Sequence, residues 1–203
     1  TKTLTYLPEG QYKLTANVYA YYKGSFITIP RNVQELYIND KKLTIGSATN
    51  RTATLREISG SVASDKKLEF GLKITNSSSA TNTAMDNVKL VYQGTKAEYI
   101  EGIEAITYNM TSEARMLIGK PMNATAANKL STVVSEADNA LSNYTSKIAL
   151  GTAAPADVNQ WVAAMDGIAS AVAAAMSSIT AYQALGMQLT AAYTAKTNYP
   201  REF

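Results

Sequence analysis

Residues 86–94 read Asp86-Asn87-Val88-Lys89-Leu90-Val91-Tyr92-Gln93-Gly94, and soon after that glycine the pattern becomes Ile100, Ile103, Ile106, Met110, Ala114, Leu117. Val88, Leu90 and Tyr92 recur at every second position, the period of a strand with one buried face. The isoleucines recur at every third or fourth position, the period of a helix. Composition changes at the same place: residues 1–94 hold seven alanines, whereas residues 149–196 alone hold sixteen. The reading is a change of architecture at Gly94, with a strand domain over 1–94 and a helical domain over 95–203.

Upstream, Lys2 to Leu7 alternates and stops at Pro8-Glu9-Gly10, a turn signal. Gln11 to Tyr22 is a long strand candidate with Tyr12, Leu14, Ala16, Val18 and Ala20 on one face. Glu35 to Asn39 is short, and Asn39-Asp40 reads as a tight turn into Lys42–Ile45. Thr52 to Ala63 leaves its register open, because Leu55 and Ile58 fall on opposite faces. Leu68, Phe70, Leu72 and Ile74 alternate cleanly, and residues 76–83 read as a loop. Short strands joined by turns predict an antiparallel β-sandwich, jelly-roll-like in order.

Downstream, three helices are expected. Gly119-Lys120-Pro121 ends the first, as a glycine cap followed by proline does. The second carries Leu130, Val133, Ala137, Leu141, Tyr144 and Ile148. The third starts near Pro155 and carries Val158, Trp161, Met165, Ile168, Val172, Met176 and Ile179; it runs to Ala195 or breaks near Gly186. The near-heptad spacing predicts an antiparallel three-helix bundle.

Composition narrows function. Of the 203 residues, 46% are hydrophobic and 17% charged, a folded composition. The net charge is +3 with no basic run longer than two, so no nucleic-acid groove is expected. There is no Cys and no His, which removes disulfides, thiolate metal sites and any Ser-His-Asp arrangement. No apolar run approaches the roughly 20 residues of a membrane span.

Two segments carry a family resemblance. Leu7-Pro8-Glu9-Gly10-Gln11-Tyr12-Lys13-Leu14-Thr15-Ala16 resembles an early segment, and Met85 to Gly94 the closing strand, of galactose-binding-like β-sandwiches in secreted Bacteroidetes proteins. Residues 171–179 and Tyr182-Gln183-Ala184-Leu185 are similar to the FIVAR-type helical bundles of bacterial surface proteins. The first resemblance covers roughly residues 1–94, and only six residues precede Leu7, where such modules have a further strand or two. It implies a jelly-roll module that engages a glycan or polysaccharide beside neighbouring domains, in a secreted or cell-surface bacterial protein, outer membrane or extracellular. The helices would then be a spacer or docking element. The alternative is a purely structural stalk or protein-interaction module with no small ligand.

Tyr19, Tyr21 and Tyr22, beside Lys23 and Gly24, are the candidate ligand residues, because sugar C–H faces stack on aromatic rings and the phenol adds a hydrogen bond. Core packing is the competing role for these tyrosines. Asp86 shares parity with Val88 and Leu90, so it is expected to point inward at a strand start. A carboxylate there is either a ligand to a structural Ca²⁺ or a hydrogen-bonded anchor for the adjacent loop. Glu98, Glu101 and Glu104 read as a solvated helix face rather than a catalytic cluster, and Trp161 as core. Five Asn-x-Ser/Thr sites are set aside, since the resemblance is bacterial. No catalytic residue is expected.

Overall fold

The computed structural model describes residues 1–22, 34–45, 53–74 and 81–198; the intervening segments and residues 199–203 lie outside the description. Two compact units divide the chain, Thr1–Ile103 and Glu104–Phe203. In the first unit the described residues form seven strands: β1 (Lys2–Leu4), β2 (Gly10–Tyr22), β3 (Gln34–Ile38), β4 (Lys41–Thr44), β5 (Thr54–Val62), β6 (Leu68–Ile74) and β7 (Thr81–Tyr92). Three helices follow: α1 (Lys96–Leu117), α2 (Ala124–Leu150) and α3 (Pro155–Asn198).

The strands make two antiparallel sheets, one of four strands in the order β1-β6-β3-β4 and one of three in the order β5-β2-β7. Tyr12, Leu14, Ala16 and Val18 are all buried, as their alternation requires. They join Leu36, Ile38, Val62, Leu68 and Phe70 in one core. Asn39 turns β3 into β4 with φ 49°, a left-handed conformation that asparagine tolerates.

The expected jelly-roll sandwich followed by a separate three-helix bundle is not what the chain forms. It is a small α+β arrangement of two unequal sheets and three helices. Two features account for the difference. Tyr99, near the start of α1, packs against the strand core with its ring 5.3 Å from Tyr92, so a residue from outside the sheets closes part of that core. The heptad rows of α3 outrun their partners: its buried residues end at Ser178, although the helix continues to Asn198. Gly186 does not break it.

Local chemistry fixes the helix ends. Thr95 and Glu98 form a reciprocal capping box at the start of α1: the Thr95 amide and hydroxyl donate to Glu98 Oε2 (2.6 and 2.9 Å), and the Glu98 amide donates to Thr95 Oγ1 (3.2 Å). Asn123 Oδ1 accepts from the Ala126 amide at the start of α2, and Gly151 closes α2 with φ 72°. Within the helical unit Trp161 is buried and donates to Thr107 Oγ1 at 2.9 Å. Lys147 pairs with Asp157 at 2.5 Å. By length and composition alone α3 is apolar enough to cross a membrane; 33% of its most apolar stretch is buried inside the protein.

Candidate functional site

The outer face of the four-stranded sheet carries a hollow of about 500 Å³. Pairing builds it. Tyr37 on β3 stands opposite Lys42 on β4 and Gly71 on β6, and in an antiparallel ladder opposed residues share a face. Leu36 and Ile38 point into the core, so the residue between them must point out. Gly71 matters for its missing side chain. A Cβ there would lie 3.0 Å from the Thr1 Cα and 3.2 Å from the Tyr37 hydroxyl. Its absence lets Thr1 approach and hydrogen-bond the phenol, Oγ1 to OH 2.7 Å.

The Tyr37 hydroxyl donates to Glu69 Oε1 at 3.0 Å. Glu69 is held in place by its own backbone, whose amide donates to Asn39 Oδ1 at 2.8 Å, while Asn39 Nδ2 donates to the Ser61 carbonyl. Lys42 and Lys73 line the same hollow, Lys42 lying 3.6 Å from Glu35. Burial raises the Tyr37 hydroxyl above its ordinary pKa of 10.0; the Thr1 hydrogen bond opposes that and Glu69 adds to it. At neutral pH the group is therefore an uncharged phenol. The hollow combines a partly exposed aromatic ring, a carboxylate and two ammonium groups, a set that suits hydroxyl-rich ligands with an apolar face.

A second hollow of about 390 Å³ lies on the outer face of the three-stranded sheet, lined by Thr15, Asn17, Leu55, Glu57, Asn87 and Lys89. Leu55 is 58% exposed there. Tyr19, Tyr21 and Tyr22 end the central strand of that sheet, their backbones paired with Ala84, Asn82 and Thr81. Lys23 lies outside the described residues.

Asp86 faces outward and is exposed, contrary to the inward orientation its parity implies. The cause is a β-bulge. Asn87 adopts φ 49°, and the β2–β7 register shifts between Thr15 and Asn17. The extra residue moves the strand out of phase: Met85 and Leu90 pack on the core, whereas Val88 is 39% exposed. Asp86 Oδ1 accepts from the Asn87 amide at 2.7 Å, which anchors the bulge. Calcium takes roughly six to eight oxygen ligands. Among the described residues no group of three or more His, Cys, Asp or Glu is placed to hold a metal ion.

Tyr37 is not among the candidates that the sequence singles out. The readable signal was its outward parity between Leu36 and Ile38; its partners Glu69 and Gly71 come from a strand more than 30 residues away. Glu98 is a cap, and the Thr95 hydrogen bonds hold its carboxyl below the usual range. Neither family models, curated proteins nor solved structures match this chain.

Proposed function

We propose that this chain is a non-catalytic module of a secreted or cell-surface bacterial protein, and that its strand unit engages glycan through the hollow around Tyr37. The observation that carries this reading is Tyr37 itself: a phenol oriented by Thr1 and Glu69, with its ring lining an open hollow. The ring offers a stacking surface to the apolar face of a sugar, and Glu69, Lys42 and Lys73 offer hydrogen bonds to its hydroxyls. The sequence resemblance of residues 7–16 and 85–94 to galactose-binding-like modules points to the same ligand class. The helical unit serves as spacer or docking element.

A glycan array on the intact protein, followed by calorimetry, tests this. Tyr37→Ala abolishes binding of the captured glycan; Tyr37→Phe keeps stacking and loses only part of the affinity. Absence of any captured glycan, or unchanged binding by Tyr37→Ala, overturns it.

One observation favours a second reading, a stalk with no small ligand. The 44 residues of α3 span roughly 66 Å at 1.5 Å per residue, a length suited to holding domains apart.

A further inference from the structure

The surface of α3 beyond its contact with α2 is built like the contact itself. Two rows at seven-residue steps run along the helix: Trp161, Ile168, Ala175, Tyr182, Leu189 and Met165, Val172, Ile179, Gly186, Tyr193. As far as Ala175 the fully described members are buried, at 0–8% exposure. The first turn of α2 reaches α3 at Ser178, whose Oγ accepts from the Asn123 amide at 3.0 Å. Past that point the rows continue in phase, but Tyr182, Leu189 and Tyr193 are 45%, 57% and 64% exposed. Ala195 is half-buried; every other residue from Ala181 to Asn198 is exposed.

A lone helix in water does not account for this segment. Thr180, Thr190, Thr194 and Thr197 are poor helix formers, and each turns its hydroxyl back to a carbonyl of its own helix. Gly186 weakens the interior, and among the described residues a Cβ there would meet nothing within 4 Å, an open notch in the surface. Such helices draw most of their stability from packing.

The chemistry of the segment selects the occupant. From Gly167 to Ala195 there is no Asp, Glu, Lys or Arg, so nothing recruits an acidic or basic partner by charge. Thr180, Gln183, Gln188, Thr190 and Thr194 make this projecting part more polar than the stretch before it, which a protein surface suits better than lipid, and vesicle capture is the test that separates the two. A second copy of the same helix fits. Laid antiparallel, the rows place Leu189 of each copy into the Gly186 notch of the other, and Tyr182 against Tyr193. This is the large-against-small layering of a two-fold seam.

We propose that the projecting half of α3 pairs antiparallel with the same segment of a second copy. The seam is roughly 27 Å long and buries on the order of 1,000 Å², the low end for a specific interface, so the dimer is a reversible one.

Sedimentation of the full chain up to about 1 mM tests it. The expected result is a monomer–dimer equilibrium that Leu189→Glu and Gly186→Leu each weaken at least about tenfold, with the melting curve of dilute monomer unchanged for Leu189→Glu. Orientation is read by cross-linking, which the absence of native cysteine makes clean. Tyr182→Cys combined with Tyr193→Cys oxidises to a covalent dimer, whereas Tyr182→Cys alone does not. Within one helix those two positions are roughly 16 Å apart, too far for a disulfide. Monomers at every concentration, a dimer indifferent to Leu189→Glu, or efficient cross-linking by Tyr182→Cys alone overturns the pairing. Capture by neutral phosphatidylcholine vesicles in place of dimerisation overturns it in favour of lipid.

Discussion

Gly60 stands opposite Tyr12 in the β2–β5 ladder and is buried. A Cβ added there would lie 2.8, 3.1 and 3.3 Å from Cγ2, Cγ1 and Cδ1 of Ile38, a residue of the other sheet. Carbon atoms rest at about 3.5–4.0 Å, so the nearest contact is roughly 0.7 Å too short. Ile38 cannot swing clear: it is fully buried, β-branched, and fixed between β4 and β6. A contact this short against a fixed side chain belongs in the upper part of the overpacking range, about 2–3 kcal/mol, and the lost freedom of the unfolded chain returns about 1 kcal/mol. Gly60→Ala should therefore destabilise the strand unit by about 1–2 kcal/mol, a fall of roughly 4–16 °C for a unit of this size. Tyrosine near-ultraviolet circular dichroism, to which the strand unit contributes eight of the thirteen tyrosines, is followed beside the fluorescence of the single tryptophan, Trp161, which reports the helical unit. Ile38→Leu removes the Cγ2 branch, so the double variant should be less destabilised than the two single effects summed. A neutral or stabilising Gly60→Ala, or strict additivity with Ile38→Leu, would refute the close approach of the two sheets at this point.

Gln34 is 1% exposed and, among the described residues, neither atom of its side-chain amide has a hydrogen-bond partner, so Gln34→Met should stabilise the strand unit by about 1–3 kcal/mol in urea unfolding. Thr95→Ala removes the α1 cap and should cost about 1 kcal/mol, with faster hydrogen exchange confined to the first turn of α1. The Lys147 hydrogen bond, with the Ala154 amide, holds the Asp157 carboxyl below its ordinary value of 3.8. A depressed folded pKa stabilises above the unfolded value and is lost as pH falls through the folded one. Melting of the helical unit at pH 7, 4 and 3 should show that acid-side loss, and Asp157→Asn should flatten it.

How far the chain was legible depended on the range of the interactions. The inward faces of β2 as far as Val18 and of β6 as far as Leu72 followed from alternation, whereas Ile74 at the end of β6 is exposed; α1–α3 followed from their three-four spacing. Gly119 and Asn39 behaved as local turn chemistry dictates. The register of β5 was not readable. Arg56 pairs with buried Ala16 while Leu55 faces out, and only pairing with β2 decides between the two phases. The orientation of Asp86 failed for a related reason: one residue in a left-handed conformation reversed the phase of half a strand. Sandwich and bundle were expected because local periods say which face is apolar, not what covers it. The Tyr37 hollow was hidden because β3 pairs with β6 rather than with a sequence neighbour on both sides.

Among the described residues, β1, β4, β5 and β7 form the rims of the two sheets, and a sheet rim is a template on which another chain can add a strand. The bulge at Asn87 lies on one of them, β7, where it interrupts the regular ladder a stranger would copy. β1 is only three residues long, and β4 is four residues beginning with Lys41-Lys42, a charged end that repels stacking. β5 carries Arg56 and Glu57. The same irregularity that turned Asp86 outward thus also guards that rim against fibrous accretion.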